Sequence, residues 1–318
     1  MNRVLLILLV VCLCLPGGCK KHTQTASEEE YGYKYYMFDI EFLNYDDLPY
    51  TWKTPGSLEG DLTDEDGVIL HEKYGYHPVL LAQKILRYCD SYQLVREETY
   101  LEKAILFADK MLQLASENDD DIDDDIILFP YNFDFPLHGY PDETIRSPWY
   151  SGMAQGQVLS AFVRLYNIIE DDKYKDAARK VFNSFFTFKD INMPWISYID
   201  HNKYVWIEEY PMEDPTNALN GFIFAIYGLY DYYLLTQDSK CKEILLACLT
   251  TVKDNIHLFR NKDDLSYYCL KHKVKSESYH KVHIDQLEML FLITQDRYFS
   301  AMAELFNNDL LKYQEMKN

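Results

Sequence analysis

The sequence predicts a mainly α fold: an (α/α) toroid or barrel of about four helical hairpins, with short β-strand or hairpin additions at the N-terminal side and in two long loops. Three observations carry this. Apolar residues recur at helical spacing in eight stretches after Gly67. The stretches pair through connections so short that the two helices of a pair must run antiparallel. The first helices of the pairs begin near residues 78, 151, 217 and 282, at steps of 73, 66 and 65 residues. With negligible identity between the pairs, that period is structural rather than a sequence repeat.

In chain order, residues 1–19 read as a bacterial lipoprotein signal peptide. Arg3 is followed by an apolar run from Val4 to Leu15 and then by Gly17-Gly18-Cys19. The apolar run is too short to span a bilayer comfortably. Cys19 is then the lipidated first residue of a chain tethered outside the cytoplasm, in the bacterial cell envelope. Residues 20–66 form a tether and a short strand and loop region lying over the main domain. Residues 67–318 form that domain, with helices expected over 78–94, 97–116, 151–169, 174–188, 217–235, 239–257, 282–293 and 297–311.

If the hairpins form a ring, the N-termini of the first helices gather at one end. What precedes them is YGYHP (Tyr74–Pro78), SPWYSG (Ser147–Gly152), WIEEYP (Trp206–Pro211) and SYHKVH (Ser278–His283). Seven aromatics in four short stretches exceed what helix caps require, whereas the hairpin tips at the other end are plain polar turns. The first kind of end is where function is expected. Tyrosine, at 28 residues, suits sugar rings, presenting a flat apolar face and a hydroxyl, and it is also ordinary core material.

The two long connections differ in character. Residues 117–148 start with the acidic run Asp119–Asp125, read first as a solvated loop and second as a calcium site, though it lacks the spaced ligands and glycine of an EF-hand; they continue as an aromatic strand pair over the cavity mouth. Residues 190–215 read as a hairpin. A net charge of -20 excludes nucleic acid as a natural partner. With no CxxC spacing among the cysteines, zinc and dithiol chemistry have no support, and no metal ligand is assigned.

Three stretches bear on chemistry. Gly152 and Gly156 lie on one face at the start of a helix, where glycine costs about 1 kcal/mol relative to alanine. They serve either close helix packing or the approach of a ligand to the backbone. Glu208, Glu209 and Tyr210 stand ahead of a helix. A carboxylate between aromatics can act as a base with a raised pKa, and an acid at a helix start also complements the helix dipole. From Lys271 to His283 there are four lysines and three histidines against one glutamate, interleaved with tyrosines, a pattern suited to an anionic sugar.

SPWYSGMAQGQ, the pair WIEEYP and NGFIFAIYGLYDYY (Trp206–Tyr233), and YHKVHIDQLEML (Tyr279–Leu290) together resemble the D-glucuronyl C5-epimerase C-terminal domain family, and the resemblance extends over about Val68 to Leu292. It implies a uronate C5-epimerase that turns D-glucuronate into L-iduronate within a polysaccharide, without a cofactor. The C5 proton leaves, an enolate-like carbanion forms, and a proton returns on the other face. It also implies catalytic roles for Glu209, Tyr210, Tyr268 and Tyr279, with Glu209 or Tyr210 on one face of C5 and Tyr279 or Tyr268 on the other. Lys271 stands where the family often has arginine, near the substrate carboxylate. A lysine cannot grip a carboxylate bidentately. The further substrate-binding candidates are Tyr74, Tyr76, His77, Trp149, Tyr150, Gln155 and His280, with Tyr76, Trp149, Tyr210 and Tyr279 expected to face one cavity. A tyrosine acting as a base would owe its lowered pKa to the cationic stretch 271–283. The rival readings are a polysaccharide lyase, which begins with the same proton abstraction, and a non-catalytic surface glycan-binding lipoprotein. Helical toroids host both enzyme activities, so the fold alone does not choose.

Overall fold

The structure is a computed structural model that describes residues 23–25, 32–116, 125–189 and 194–317. The signal segment with Cys19, and the acidic run apart from Asp125, lie outside the described residues. Among the described residues, eight α-helices form the body: α1 Pro78–Val95, α2 Glu98–Ser116, α3 Gly152–Ile169, α4 Asp172–Ser184, α5 Leu219–Thr236, α6 Ser239–Phe259, α7 Glu277–Thr294 and α8 Arg297–Lys317. The odd helices pack side by side in the order α1, α3, α5, α7, and each even helix covers its odd partner. This is the layered hairpin arrangement of an α/α toroid.

The hairpin geometry repeats although the sequence does not. Each odd helix ends in a left-handed residue, Arg96, Glu170, Gln237 and Gln295, whose N–H reaches the carbonyl four residues back. That conformation is common at a helix C-terminus and reverses the chain within two or three residues.

α3 is buried along most of its length, from Gly152 to Leu165, and α5 nearly so. A helix apolar on all sides belongs in a core, and α3 lies between α1 and α5. Its contact with α5 is set by two glycines. A Cβ on Gly228 would come within 2.2 Å of the Gly156 carbonyl oxygen, and one on Gly156 within 2.3 Å of the Ala225 Cα. Gly156 therefore serves close helix packing. Gly152 admits backbone rather than ligand: its N–H donates to the Glu208 carbonyl at 2.7 Å, and a Cβ there would meet the Ile207 side chain.

Three boundaries differ from expectation, the simplest being α8, which runs on to Lys317 rather than ending at 311. α4 stops at Ser184, because Phe185 and Phe188 turn into the core and Phe188 bridges to Ser197. α7 begins at Glu277, so Tyr279 and His280 belong to its first turns instead of preceding it.

Short strands decorate the body. β1 (Thr23–Thr25) pairs with β2 (Lys34–Tyr36). β3 (Pro130–Tyr131) pairs with β6 (Trp149–Tyr150), and β4 (Phe135–Pro136) with β5 (Thr144–Ile145). β7 (Ser197–Ile199) and β8 (Val205–Ile207) form the expected hairpin. Residues 32–58 run as a strap across the C-terminal ends of the odd helices. Tyr33, Phe38 and Leu48 are buried in the main core. The Tyr230 hydroxyl of α5 donates to the Glu41 carbonyl, Arg164 of α3 to the Pro49 carbonyl, and Trp52 N–H to Asp90 of α1. The strap occupies one end of the helix array, which leaves the N-terminal end for a site.

Candidate active site

The N-terminal ends of all four odd helices surround a cavity of about 410 Å³. Val79 and Gln83 come from α1, Met153 from α3, Asn220 and Phe224 from α5, and Tyr279 and Val282 from α7; Tyr74, His77, Tyr131, Phe133, Phe135, Trp149, Ser151, Glu209 and Tyr210 complete the wall. A second hollow of about 320 Å³ shares Phe135, Tyr210 and Tyr279 and adds His138, Tyr268, Val274 and Ser276.

The aromatic wall is ordered by stacking. Tyr131 lies on Trp149 with ring centres 4.0 Å apart, Tyr74 on Phe133 at 4.0 Å, and Phe135 on Tyr210 at 5.6 Å. The β3–β6 pairing sets Tyr131 opposite Trp149. Flat rings fixed in this way suit the face of a pyranose.

Glu209 is the charged group of the cavity. It follows β8, and its carboxylate reaches the first turn of α5. Burial pushes it up to about 7, while the hydroxyls of Tyr268 and Tyr210 and the N–H of Gly221 pull in the opposite direction. The Tyr268 hydroxyl donates to Glu209 Oε2 at 2.8 Å, and the Tyr210 and Tyr268 hydroxyls are 3.3 Å apart. Gly221 makes room for the carboxylate, since a Cβ there would stand 2.3 Å from Oε2. A carboxyl group that titrates near neutrality at a helix start, with two phenols against it, is equipped to take up a proton and hand it on.

Glu208 does different work. Its oxygens accept from Thr216 N–H (3.0 Å), Thr216 Oγ1 (2.9 Å) and Asn217 N–H (2.8 Å). It braces the turn that enters α5 and lines neither cavity. Tyr268 also has a structural side, because its carbonyl accepts the first N–H of α5.

Tyr210, Tyr268 and Tyr279 all have pKa values raised by burial first and by the Glu209 charge next. They are proton donors at neutral pH. The expected lowering by the 271–283 cations fails, because those cations are engaged elsewhere. Lys271 lies 3.3 Å from Glu143 and 3.4 Å from Asp214, Lys275 bonds Asp264, and Lys281 bonds Glu277. Lys271 lines neither cavity, and among the described residues of the two walls none is Lys or Arg. Tyr268 sits with Glu209 rather than across from it, and its ring meets Tyr279 edge-on at 4.6 Å.

Of the other expected binding residues, Tyr74, His77 and Trp149 line the main cavity. His77 caps α1, its Nδ1 accepting from Leu80 N–H at 3.4 Å, which leaves the proton on Nε2. Burial and the neighbouring His71 lower it to about 4, so the ring is a neutral donor. The remaining four point away. The Tyr76 hydroxyl donates to Asp64 at 2.5 Å, and its ring belongs to a different hollow. Tyr150 alternates with Trp149 on β6 and faces an outer hollow of about 330 Å³. Gln155 is fully buried and ties Phe129 N–H and the Ile127 carbonyl to Ser184. His280 is a core residue bonded to Ser266 N–H and the Phe306 carbonyl.

Tyr131, Phe133, Phe135 and Asn220 were not singled out in the sequence. The first three sit in the stretch read as a strand pair over the mouth, and that is where their signal lay. Asn220 Oδ1 is buried on the cavity wall with no hydrogen-bond partner among the described residues, a position only the fold reveals.

The profile of the family described as D-glucuronyl C5-epimerase C-terminus matches residues 123–308. An uncharacterized protein of Methanocaldococcus jannaschii is 26% identical over 200 residues, 61% of this chain and 62% of that one. A D-glucuronyl C5-epimerase of Caenorhabditis elegans is 25% identical over 175 residues, 49% of this chain and 28% of the relative. The chain thus spans less than two thirds of either relative. Cellobiose 2-epimerase from Bacillus thermoamylovorans superposes with a TM-score of 0.52 at 11% identity, covering 78% of this chain and 66% of that one. The GH76A alpha-1,6-mannanase of Salegentibacter sp. HEL1_6 does so at 0.51 and 12% identity, covering 78% and 65%. At such identity these two speak for the fold alone.

Proposed function

The chain belongs to the D-glucuronyl C5-epimerase C-terminal family, and on that premise we propose that it is a uronate C5-epimerase acting on glucuronate residues of a polysaccharide. The observation that carries the proposal is Glu209: a buried carboxylate on the cavity wall, titrating near 7, with phenols on both the same and a neighbouring element.

In this reading the pyranose lies against the stacked rings of Tyr131, Trp149 and Phe135, with C5 toward Glu209. Ionised Glu209 takes the C5 proton. The hydroxyl of Tyr268 already bonds to it, with the Tyr210 hydroxyl next in line at 3.3 Å from that of Tyr268, and stabilises its charge beforehand. Negative charge then builds on the substrate carboxylate, and in a dry site neutral donors fixed in place are effective stabilisers. The Tyr210 hydroxyl and His77 Nε2–H are the donors at hand, and Asn220 Oδ1 accepts from a sugar hydroxyl. Tyr279, carried by α7 and shared by both hollows, returns a proton to the opposite face. The raised pKa of Tyr279 supports the acid role and opposes the base role.

The test is incubation with a glucuronate polymer and product analysis. Iduronate without chain cleavage supports the epimerase. An unsaturated sugar absorbing in the ultraviolet would instead make it a lyase, and binding without any change would make it a glycan-binding protein.

A further inference from the structure

Beside the Glu209 cluster lies a group the proposed chemistry does not use. His138, Cys269 and His272 bring one ligand atom each to within 4.8 Å of one another, among the described residues. His138 Nε2 is 3.4 Å from Cys269 Sγ, and His272 Nδ1 is 3.5 Å from it. Tetrahedral zinc, with Zn–S of about 2.3 Å and Zn–N of about 2.0 Å, sets S···N edges of about 3.5 Å. We propose that Cys269, His272 and His138 form a zinc site.

The local structure fits a thiolate ligand. Cys269 and His272 are spaced C-x-x-H on a tight turn, with Lys273 in the left-handed region at φ 52°. Burial raises the Cys269 thiol above its ordinary range, opposed in part by the N–H groups of His272, Lys273 and Val274; a bound zinc would itself deprotonate the thiol. His272 Nε2 lies 2.6 Å from Glu143 Oε2. A carboxylate accepting there fixes the tautomer with the proton on Nε2 and leaves the Nδ1 lone pair directed at the sulfur. This carboxylate–histidine arrangement is the outer-shell support usual at zinc. His138 is held by a left-handed backbone at φ 51°, with its ring 5.0 Å from that of His272. Two imidazoles and a sulfur gather around one point, with Lys271 drawn off to Glu143 and Asp214; a ring shift of about 1 Å by His138 or His272 would bring both nitrogens within zinc reach.

The consequence is mechanical and electrostatic. Zinc would clamp the 137–143 segment, next to the cavity wall at Phe135, onto the turn that begins at Tyr268. With one thiolate and two neutral imidazoles it carries a net positive charge, beside a site whose walls hold no Lys or Arg.

The test uses the full chain, stripped with a chelator and titrated with Co²⁺ and then Zn²⁺, and does not depend on any enzymatic activity. One equivalent of Co²⁺ should give thiolate charge-transfer absorption in the near ultraviolet, displaced by one equivalent of Zn²⁺. Cys269→Ser should abolish that absorption. Glu143→Gln should weaken zinc binding about 10- to 100-fold. His138→Asn keeps a residue that tolerates the left-handed backbone and should weaken zinc binding as well. If the parent chain binds no stoichiometric Zn²⁺ or Co²⁺, or if a folded Cys269→Ser protein keeps the absorption, the site is refuted; the parent measurement decides even where a variant fails to fold.

Discussion

Gly221→Ala isolates the position of one carboxylate. In the first turn of α5 a Cβ at residue 221 would stand 2.3 Å from Glu209 Oε2, 2.7 Å from its Cβ and 2.8 Å from its Cδ. Ordinary carbon–oxygen contact needs about 1 Å more, so the carboxylate has to move by roughly that much. Relief by rotation into the cavity breaks the 2.8 Å bond from Tyr268. A misplacement of about 1 Å in a reacting group can cost on the order of 100-fold in rate. The fold should suffer less. Alanine gains about 1 kcal/mol over glycine within a helix, against about 1–3 kcal/mol of overpacking. The expected protein therefore melts close to the parent and epimerises about 100-fold more slowly, read by thermal unfolding and by iduronate formation under saturating substrate. A Gly221→Ala protein with the parental rate would mean that the carboxylate's place beside α5 has no bearing on the chemistry.

Other outcomes follow from the same geometry. Catalysis should rise with pH through about 7 as Glu209 ionises, and Glu209→Gln should erase that limb with a loss of about 100- to 10,000-fold. Stability runs the other way: with its folded pKa raised from 4.5 to about 7, Glu209 holds a proton in the folded chain that the unfolded chain releases, so its contribution declines as pH climbs from about 4.5 to 7, measurable by denaturant titration against Glu209→Gln. Glu208→Ala should leave three donors at Thr216 and Asn217 without their acceptor and destabilise by several kcal/mol, at about 1–3 kcal/mol per buried group. Asp231→Ala strands Arg164, which bonds both Asp231 oxygens at 2.8 and 3.1 Å, and a buried charge left alone costs about 3–5 kcal/mol. We also propose that Cys19→Ala releases the chain from membranes upon fractionation.

The fold was legible because helical period and short connections are local signals. The eight helices among the described residues stand where the apolar pattern put them, and five match it to within two residues at both ends. The gathering of first-helix N-termini was legible too, from the aromatics ahead of them. Side-chain direction was not. Tyr74 and Tyr76 share a stretch, yet one faces the cavity and the other Asp64, and of Trp149 and Tyr150, which both border the outer hollow, only Trp149 reaches the cavity. The reversed charge from Lys271 to His283 suggested a basic cleft, but its lysines find acids contributed by distant segments such as Glu143 and Asp214. Which of two adjacent glutamates enters the cavity depends on Thr216 and Asn217 claiming Glu208. Cys269 and His272 share a readable C-x-x-H spacing, but His138 joins them across 131 residues of sequence, which no local spacing announces.

Hydrogen–deuterium exchange at C5 is the most direct measure of the central claim that Glu209 and Tyr279 serve opposite faces of one carbon. A glucuronate polymer incubated in deuterated water with the parent protein should gain deuterium at C5 in both glucuronate and iduronate residues. With Tyr279→Phe, which removes one oxygen and little volume, glucuronate should still gain C5 deuterium through Glu209 while iduronate falls by about 100-fold or more. Iduronate formed by Tyr279→Phe at the parental rate would contradict the account, as would a Glu209→Gln protein that exchanges C5 as fast as the parent.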